Sequence, residues 1–164
     1  MKDRFRLCLP IVLSLSVIFA GEGCQAWRVL NPTSQPVRVM RLRCEYLADP
    51  MGIETASPRL SWVLESSERA QRQSGYQILV ASEPGKLGAE RADLWNTGKV
   101  DSAETVHVEY EGKRIVSGRR CFWKVRVWDK NDQPSRWSDV GKWSMGLLEA
   151  SDWKAQWISF KDDS

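Results

Sequence analysis

Hydrophobic and polar positions alternate with a period of two along most of the chain beyond residue 40. Leu42, Cys44 and Tyr46 fall on one side of a short segment, with Arg41, Arg43 and Glu45 on the other. The same alternation recurs at Leu60, Trp62 and Leu64, at Tyr76, Ile78 and Val80, at Val106, Val108 and Tyr110, and at Cys121, Trp123, Val125 and Val127. Successive side chains of a strand point to opposite faces, so these runs predict strands with one buried face. Leu94-Trp95, just before Asn96-Thr97-Gly98, and residues 137–145 supply two more. Turn-forming residues separate the runs, as at Asp49-Pro50-Met51-Gly52, Glu111-Gly112-Lys113 and 129–134. About seven short strands with turns between them predict an all-β, two-sheet antiparallel β-sandwich. Residues 66–74 carry no apolar stripe and read as a loop, and 89–94 suits one helical turn.

The N-terminal residues follow a different pattern. A short basic segment with Lys2, Arg4 and Arg6 precedes an unbroken, mostly apolar run over residues 7–20, followed by small residues. That is the layout of a signal peptide, and the run is shorter than the roughly twenty residues needed to span a bilayer. Residues 1–24 are therefore assigned to a leader, 25–40 to a linker rich in turn formers, 41–148 to the sandwich and 149–164 to the start of a connection. Cys24 sits where a bacterial lipoprotein carries its lipidated cysteine, although Glu22 stands where such sites have a small residue. Export implies a secreted or periplasmic protein, and lipidation at Cys24 would anchor it to the cell envelope.

Composition is that of an ordinary globular chain, with 42% hydrophobic and 27% charged residues. The net charge is +3, most of it in the leader, so nucleic acid is not an expected partner. With Cys8 and Cys24 assigned to the leader region, the sandwich keeps Cys44 and Cys121. Export permits a disulfide between them, and two buried free thiols are the alternative.

Several motifs carry a resemblance. Leu60-Ser61-Trp62, Trp123-Lys124-Val125-Arg126-Val127 and Ser135-Arg136-Trp137-Ser138 resemble a fibronectin type III domain of the immunoglobulin-like class. Trp123 stands where that family often has Tyr. Trp137-Ser138 resembles the tryptophan–serine element of cytokine-receptor sandwiches, which implies that Arg126 and Lys124 stack on Trp137. A longer ordered series resembles the first domain of bacterial α-L-rhamnosidases. It runs through Leu42-Arg43-Cys44-Glu45-Tyr46-Leu47, Asp49-Pro50-Met51-Gly52, Ser57-Pro58-Arg59-Leu60-Ser61-Trp62 and Gly75-Tyr76-Gln77-Ile78-Leu79-Val80. It continues with Leu94-Trp95-Asn96-Thr97-Gly98, Phe122-Trp123-Lys124-Val125-Arg126-Val127-Trp128, Trp143-Ser144-Met145-Gly146 and Asp152-Trp153-Lys154-Ala155-Gln156-Trp157-Ile158.

The resemblance implies a secreted multidomain glycoside hydrolase that removes terminal α-L-rhamnose with inversion. Inversion needs two carboxyl groups about 6.5–9.5 Å apart. In that family a downstream (α/α)6 barrel supplies them, so no residue here is expected to be catalytic. The expected role is a non-catalytic scaffold, with the downstream domains of the parent enzyme as partners and rhamnosylated glycans as a further candidate. A free-standing carbohydrate-binding or adhesion sandwich is the alternative, and a receptor-like fibronectin domain with a protein partner is a third reading.

Nine tryptophans are the strongest binding signal. Trp62 and Trp123 are expected in the core, whereas Trp95, Trp128, Trp137, Trp143 and Trp153 are candidates for contact with other domains or with sugar. The single histidine, His107, lies among Glu104, Glu109 and Glu111 and reads as a solvated strand residue. Asp129, Asn131 and Asp132 superficially resemble a calcium loop but lack its glycine and bidentate Glu. No phosphate loop, nucleophile elbow or metal-ligand cluster is present in the sequence, and no cofactor is expected.

Overall fold

A computed structural model of the chain describes residues 37–156 and 158. The leader, Cys24 and linker residues 25–36 lie outside the described residues, as does Trp157. The strands are β1 (Arg38–Cys44), β2 (Arg59–Glu65), β3 (Gly75–Ala81), β4 (Trp95–Asn96), β5 (Val108–Glu109), β6 (Arg120–Trp128) and β7 (Gly141–Ser144). They form two antiparallel sheets with strand orders β1-β2-β5 and β4-β3-β6-β7. The all-β sandwich expected from the alternation is the fold that forms.

The inner faces meet in one core. From β2 come Leu60 and Trp62, from β3 Tyr76, Ile78 and Val80, and from β6 Cys121, Trp123, Val125 and Val127. The register pairs Tyr76 with Val127, Ile78 with Val125 and Val80 with Trp123, so apolar side chains lie side by side along the β3–β6 ladder. Such cross-strand pairs contribute about 0.2–1 kcal/mol each beyond Ala–Ala. Strand β6 alternates buried and half-buried without a fault from Cys121 to Trp128.

Four local expectations are corrected. First, β1 begins at Arg38, inside the stretch assigned to the linker, because Val37 and Val39 are buried. A register irregularity between Met40 and Arg43, with Arg41 at φ 51°, inserts a residue into the alternation. Burial therefore passes from odd positions (Val37, Val39) to even ones (Leu42, Cys44). Second, Tyr46 does not share the face of Cys44. Glu45 and Tyr46 both have positive φ, the chain turns there, and Tyr46 is 52% exposed. Third, β5 is two residues long, with His107 at φ 59° before it, so Val106 is exposed instead of buried beside Val108. Fourth, the helical turn is a 3-10 helix over Pro84–Glu90 and not over 89–94.

That helix explains why β3 is buried along both faces. Leu79 and Ala81 point away from the main core and pack with Leu87 of the 3-10 helix, with Phe122, Trp137 and Ala92 beside them. The two seams between the sheets close differently. On the β1/β7 side, backbone bonds join Ile53 N to Ser144 O (2.8 Å) and Gly146 N to Ile53 O (2.8 Å). On the β4/β5 side, Lys113 N donates to Leu94 O (3.0 Å), and Tyr110 meets Trp95 edge-on at 5.2 Å between ring centres.

Candidate functional site

The outer face of the four-stranded sheet carries a ladder of indoles and cations. The alternation of β6 turns Lys124, Arg126 and Trp128 outward. The following segment, expected as a strand over 137–145, joins the β7 ladder only from Gly141. Before that it is fastened by two serines three residues apart. Ser135 N donates to Val127 O (2.7 Å) while Val127 N donates to Ser135 Oγ (3.0 Å). Ser138 repeats the exchange with Val125, at 2.8 and 3.1 Å. Each hydroxyl donates to the next carbonyl, of Arg136 or Asp139, so both of its functions are used.

Trp137 is thereby held against β6. Lys124 Nζ lies 4.6 Å and the Arg126 guanidinium 4.7 Å from the centre of its ring. Arg126 is also 5.2 Å from Trp128, and Lys99 Nζ is 5.3 Å from that ring on the other strand system. Arg126 Nε donates to Oε1 of the buried Gln77 (2.9 Å), whose Nε2 donates to Asn96 (2.8 Å). Each cation–π contact at a wet site contributes about 0.5–1 kcal/mol. Burial, then the positive charge of Arg126, pulls the Lys124 ammonium pKa down. The stacking of Arg126 and Lys124 on Trp137 is the arrangement that the tryptophan–serine resemblance implied.

The five candidate tryptophans do not form one surface. Trp128 and Trp137 meet in the ladder. Trp95 is half-buried at the other seam, and Trp153 is 63% exposed after β7. Trp143, offered as a contact residue, is 1% exposed and belongs to the core, where it pairs with Cys121 across β6–β7. The reason is that β7 resumes regular pairing at Gly141, which sets Trp143 inward although Trp137 lies outside. Its indole N–H is the buried polar side-chain atom without a partner among the described residues.

Cys44 and Cys121 are free thiols in the core, 1% and 0% exposed, and not a disulfide. Burial pushes both thiols up to about 12, with the charge of Glu45 adding at Cys44. They behave as small apolar side chains. Asp129 organises its own turn, accepting from Asn131 N (2.8 Å) and Gln133 N (2.9 Å) through one carboxylate oxygen. Among the described residues no three Asp, Glu, His or Cys side chains converge as a metal site.

His107 and the nearby glutamates do come together, at the open β4/β5 seam. Glu104, His107, Glu109 and Glu111 form one side of a groove of about 520 Å³, with Trp95, Asn96 and Thr97 opposite and Tyr76 beneath. Backbone strain sets the histidine's place: its positive φ lets its N–H reach Ser61 Oγ (3.2 Å), and its ring meets Tyr46 edge-on. Beside it, Glu45 holds Arg59 in a bidentate pair (2.6 Å for the shorter contact), which keeps the Glu45 carboxyl below its ordinary value.

One structural residue gave no readable signal of burial, although the run Gln73-Ser74-Gly75-Tyr76 belongs to the family resemblance. Gln73, in the loop before β3, is 3% exposed and accepts from Trp62 Nε1 (3.0 Å). Its amide donates to the carbonyls of Ser102 (2.9 Å) and Glu104 (2.7 Å). A polar residue in a polar loop gives no periodicity from which such a buried role can be inferred.

Residues 39–149 match the family model for the Rha78A-like, N-terminal immunoglobulin domain. An α-L-rhamnosidase of Alteromonas sp. is 43% identical over 152 residues, covering 90% of this chain and 16% of that protein. Among solved structures, the α-L-rhamnosidase of Streptomyces avermitilis complexed with L-rhamnose is 43% identical with a TM-score of 0.72, over 75% of this chain and 12% of the other. The α-L-rhamnosidase from Dictyoglumus thermophilum is 38% identical with a TM-score of 0.74, over 79% and 15%. The chain thus spans about 12–16% of the length of the relatives it matches.

Proposed function

This chain belongs to the family of Rha78A-like N-terminal immunoglobulin domains of α-L-rhamnosidases, and from that premise we propose that it is the non-catalytic scaffold module of a secreted α-L-rhamnosidase. In that role it packs against the β-domains that follow and supports the barrel where rhamnose is released. The observation that carries this reading is the apolar segment after β7. Leu147, Trp153 and Ile158 are 47%, 63% and 97% exposed within a short stretch. Burial against a following domain would take these three large apolar side chains out of water. The stretch is also anchored. Leu148 N donates to Ser117 Oγ (2.8 Å), the Ser117 hydroxyl bonds Asp152, and Arg114 pairs with Glu149 (3.1 Å). A held apolar segment offers its side chains at a fixed place.

The alternative of a free-standing carbohydrate-binding sandwich needs indole faces open to sugar. Trp128 and Trp137 have cations stacked on them, which favours the scaffold. Export through the residue 1–24 leader, a linker that ends before β1 at Arg38, and lipidation at Cys24 remain part of the proposal. Among the described residues no helix is long and apolar enough to cross a membrane.

Two measurements test the reading. The purified chain is expected to release no nitrophenol from an aryl α-L-rhamnoside, and clear turnover overturns it. Replacing the first domain of the Streptomyces avermitilis enzyme with this chain should give an active, folded hybrid whose melting temperature falls when Trp153→Ala is added. A hybrid indifferent to Trp153 speaks against packing through this segment.

A further inference from the structure

The segment after β7 does not stand alone. Three stretches of chain meet at Gly146, at the end of the sandwich where β7 finishes. Gly146 N donates to Ile53 O (2.8 Å), and Gly118 N donates to Gly146 O (3.1 Å). A Cβ at Gly146 would lie 3.2 Å from the Gly52 carbonyl oxygen, so the β1–β2 connection presses directly on the tail. Around this junction the exposed side chains are large and apolar. Met51 (88% exposed) comes from the β1–β2 connection and Val116 (61%) from the β5–β6 connection, and Leu147 and Trp153 come from the tail.

Ser117 fixes three of these side chains relative to one another. Its hydroxyl oxygen accepts from Leu148 N (2.8 Å), and the hydroxyl donates to the Asp152 carboxylate. Val116, Leu147 and Trp153 each stand one residue from a member of this clasp. The Asp152 carboxylate also accepts from Glu149 N (3.2 Å), which closes the tail on itself. Beside Met51 the surface is concave, with a cavity of about 280 Å³ lined by Pro50, Met51, Phe122 and Trp143 together with Arg120 and Lys142. The opposite end differs. Among the described residues, neither the 66–74 loop nor the 129–134 turn exposes a large apolar side chain, and Lys130 pairs with Glu68 between them.

A single exposed apolar residue is ordinary, whereas several held around one junction form a patch that is costly to leave in water. The matched family domain is N-terminal, and this chain spans 12–16% of the relatives, so in those proteins further domains follow the tail. A domain joined through a pinned tail is kept at high effective concentration at the end where that tail emerges. We propose that this whole end of the sandwich is one docking face for the domain that follows, formed by Met51 and Val116 together with Leu147 and Trp153. The partner meets it with an apolar patch and seats a side chain in the cavity beside Met51. The inference rests on the scaffold reading and extends it, because the tail becomes one of three segments of the interface. The outer face of the three-stranded sheet, where Met40 pairs with Val63, lies outside the contact and stays in water.

Peroxide oxidation read by peptide mass spectrometry tests this, because the described methionines occupy three settings: Met51 at 88% exposure, Met40 at 39% and Met145 at 3%. The isolated chain is compared with the hybrid in which it replaces the first domain of the Streptomyces avermitilis enzyme. In the isolated chain Met51 should oxidise fastest and Met145 slowest. In the hybrid the Met51 rate should fall by about fivefold or more while that of Met40 is unchanged. Val116→Glu should lower the melting temperature of the hybrid and leave that of the isolated chain in place, since the charge is desolvated only in the contact. If the hybrid does not assemble, the isolated chain added to the Streptomyces enzyme lacking its first domain gives the same comparison. Met51 equally reactive in both settings, or Val116→Glu equally harmful in both, overturns the proposal. Protection of Met51 in the isolated chain that grows with concentration also overturns it and assigns the face to a second copy. The two readings separate cleanly. A hybrid destabilised by Trp153→Ala in which Met51 stays reactive keeps the scaffold and removes the docking face, whereas a hybrid indifferent at Met51, Val116 and Trp153 removes both.

Discussion

Replacing Gln73 by Met keeps the length and most of the volume of the side chain and deletes its hydrogen bonding. Three bonds disappear: one from Trp62 Nε1 and two to the carbonyls of Ser102 and Glu104. Their consequences differ. Ser102 is half-exposed and Glu104 exposed, so water can take over at both carbonyls. The Trp62 indole is 2% exposed and has no such recourse. A stranded buried donor costs about 1–3 kcal/mol, and the lost loop bonds add roughly 1 kcal/mol after rehydration. The expected destabilisation is about 2–4 kcal/mol, a large share of the 5–15 kcal/mol typical of a domain. With a urea slope of about 1–3 kcal/mol/M, the midpoint should fall by roughly 1–2 M at unchanged slope, read from tryptophan fluorescence. Arg72→Ala, at the exposed neighbouring position, should stay within about 0.5 kcal/mol of the parent. Glu at 73 adds a sign. It still accepts from Trp62, but its second oxygen faces two carbonyls, so its folded pKa rises above the unfolded value of about 4.3. The variant is then best tolerated below that pH and loses stability as pH rises. A Gln73→Met midpoint indistinguishable from the parent would refute the view that this amide organises the loop over Trp62.

Cys44 and Cys121, buried and pushed up to about 12, should resist a maleimide pulse at pH 8 in the folded chain and label fully in denaturant. Peptide-resolved mass spectrometry reads this, and rapid labelling of either in the folded state contradicts it. A Cβ at Gly141 would lie 2.7 Å from Trp123 Nε1, whereas one at Gly85 meets nothing within 4 Å. Gly141→Ala should cost about 1–3 kcal/mol and lower the melting temperature by several degrees, with Gly85→Ala close to neutral. Burial alone would raise the Asp93 pKa, but hydrogen bonds from Ser82 and Lys86 hold its carboxyl well below the ordinary carboxylate range. A depressed pKa gives stability that is present above the unfolded value of about 3.9 and lost as pH falls below it. Asp93→Asn should therefore remove part of the acid-induced loss of stability seen by chemical denaturation at pH 3 against pH 6. An unchanged loss would show that the Ser82–Asp93–Lys86 cluster is not a contributor.

The alternation of residues was enough to identify the sandwich because burial of one strand face is a local, period-two property. Leu60, Trp62, Ile78, Val80, Trp123, Val125 and Val127 announce their side of the sheet from sequence neighbours alone. The outward Lys124 and Arg126 follow from the same rule, and Trp137 required only the serine motif beside it. Tertiary structure decided what the period cannot carry. One inserted residue at Arg41 reverses the buried parity of β1, and positive φ at Tyr46 and His107 ends two runs early. Trp137 and Trp143 have the same parity in sequence, yet one lies in the outer ladder and the other in the core, because pairing with β6 is irregular until Gly141. Gln73 and the acidic groove are assembled from segments distant in sequence. Their meeting depends on how two sheet edges approach each other in space, and nothing in a single strand's pattern encodes that approach.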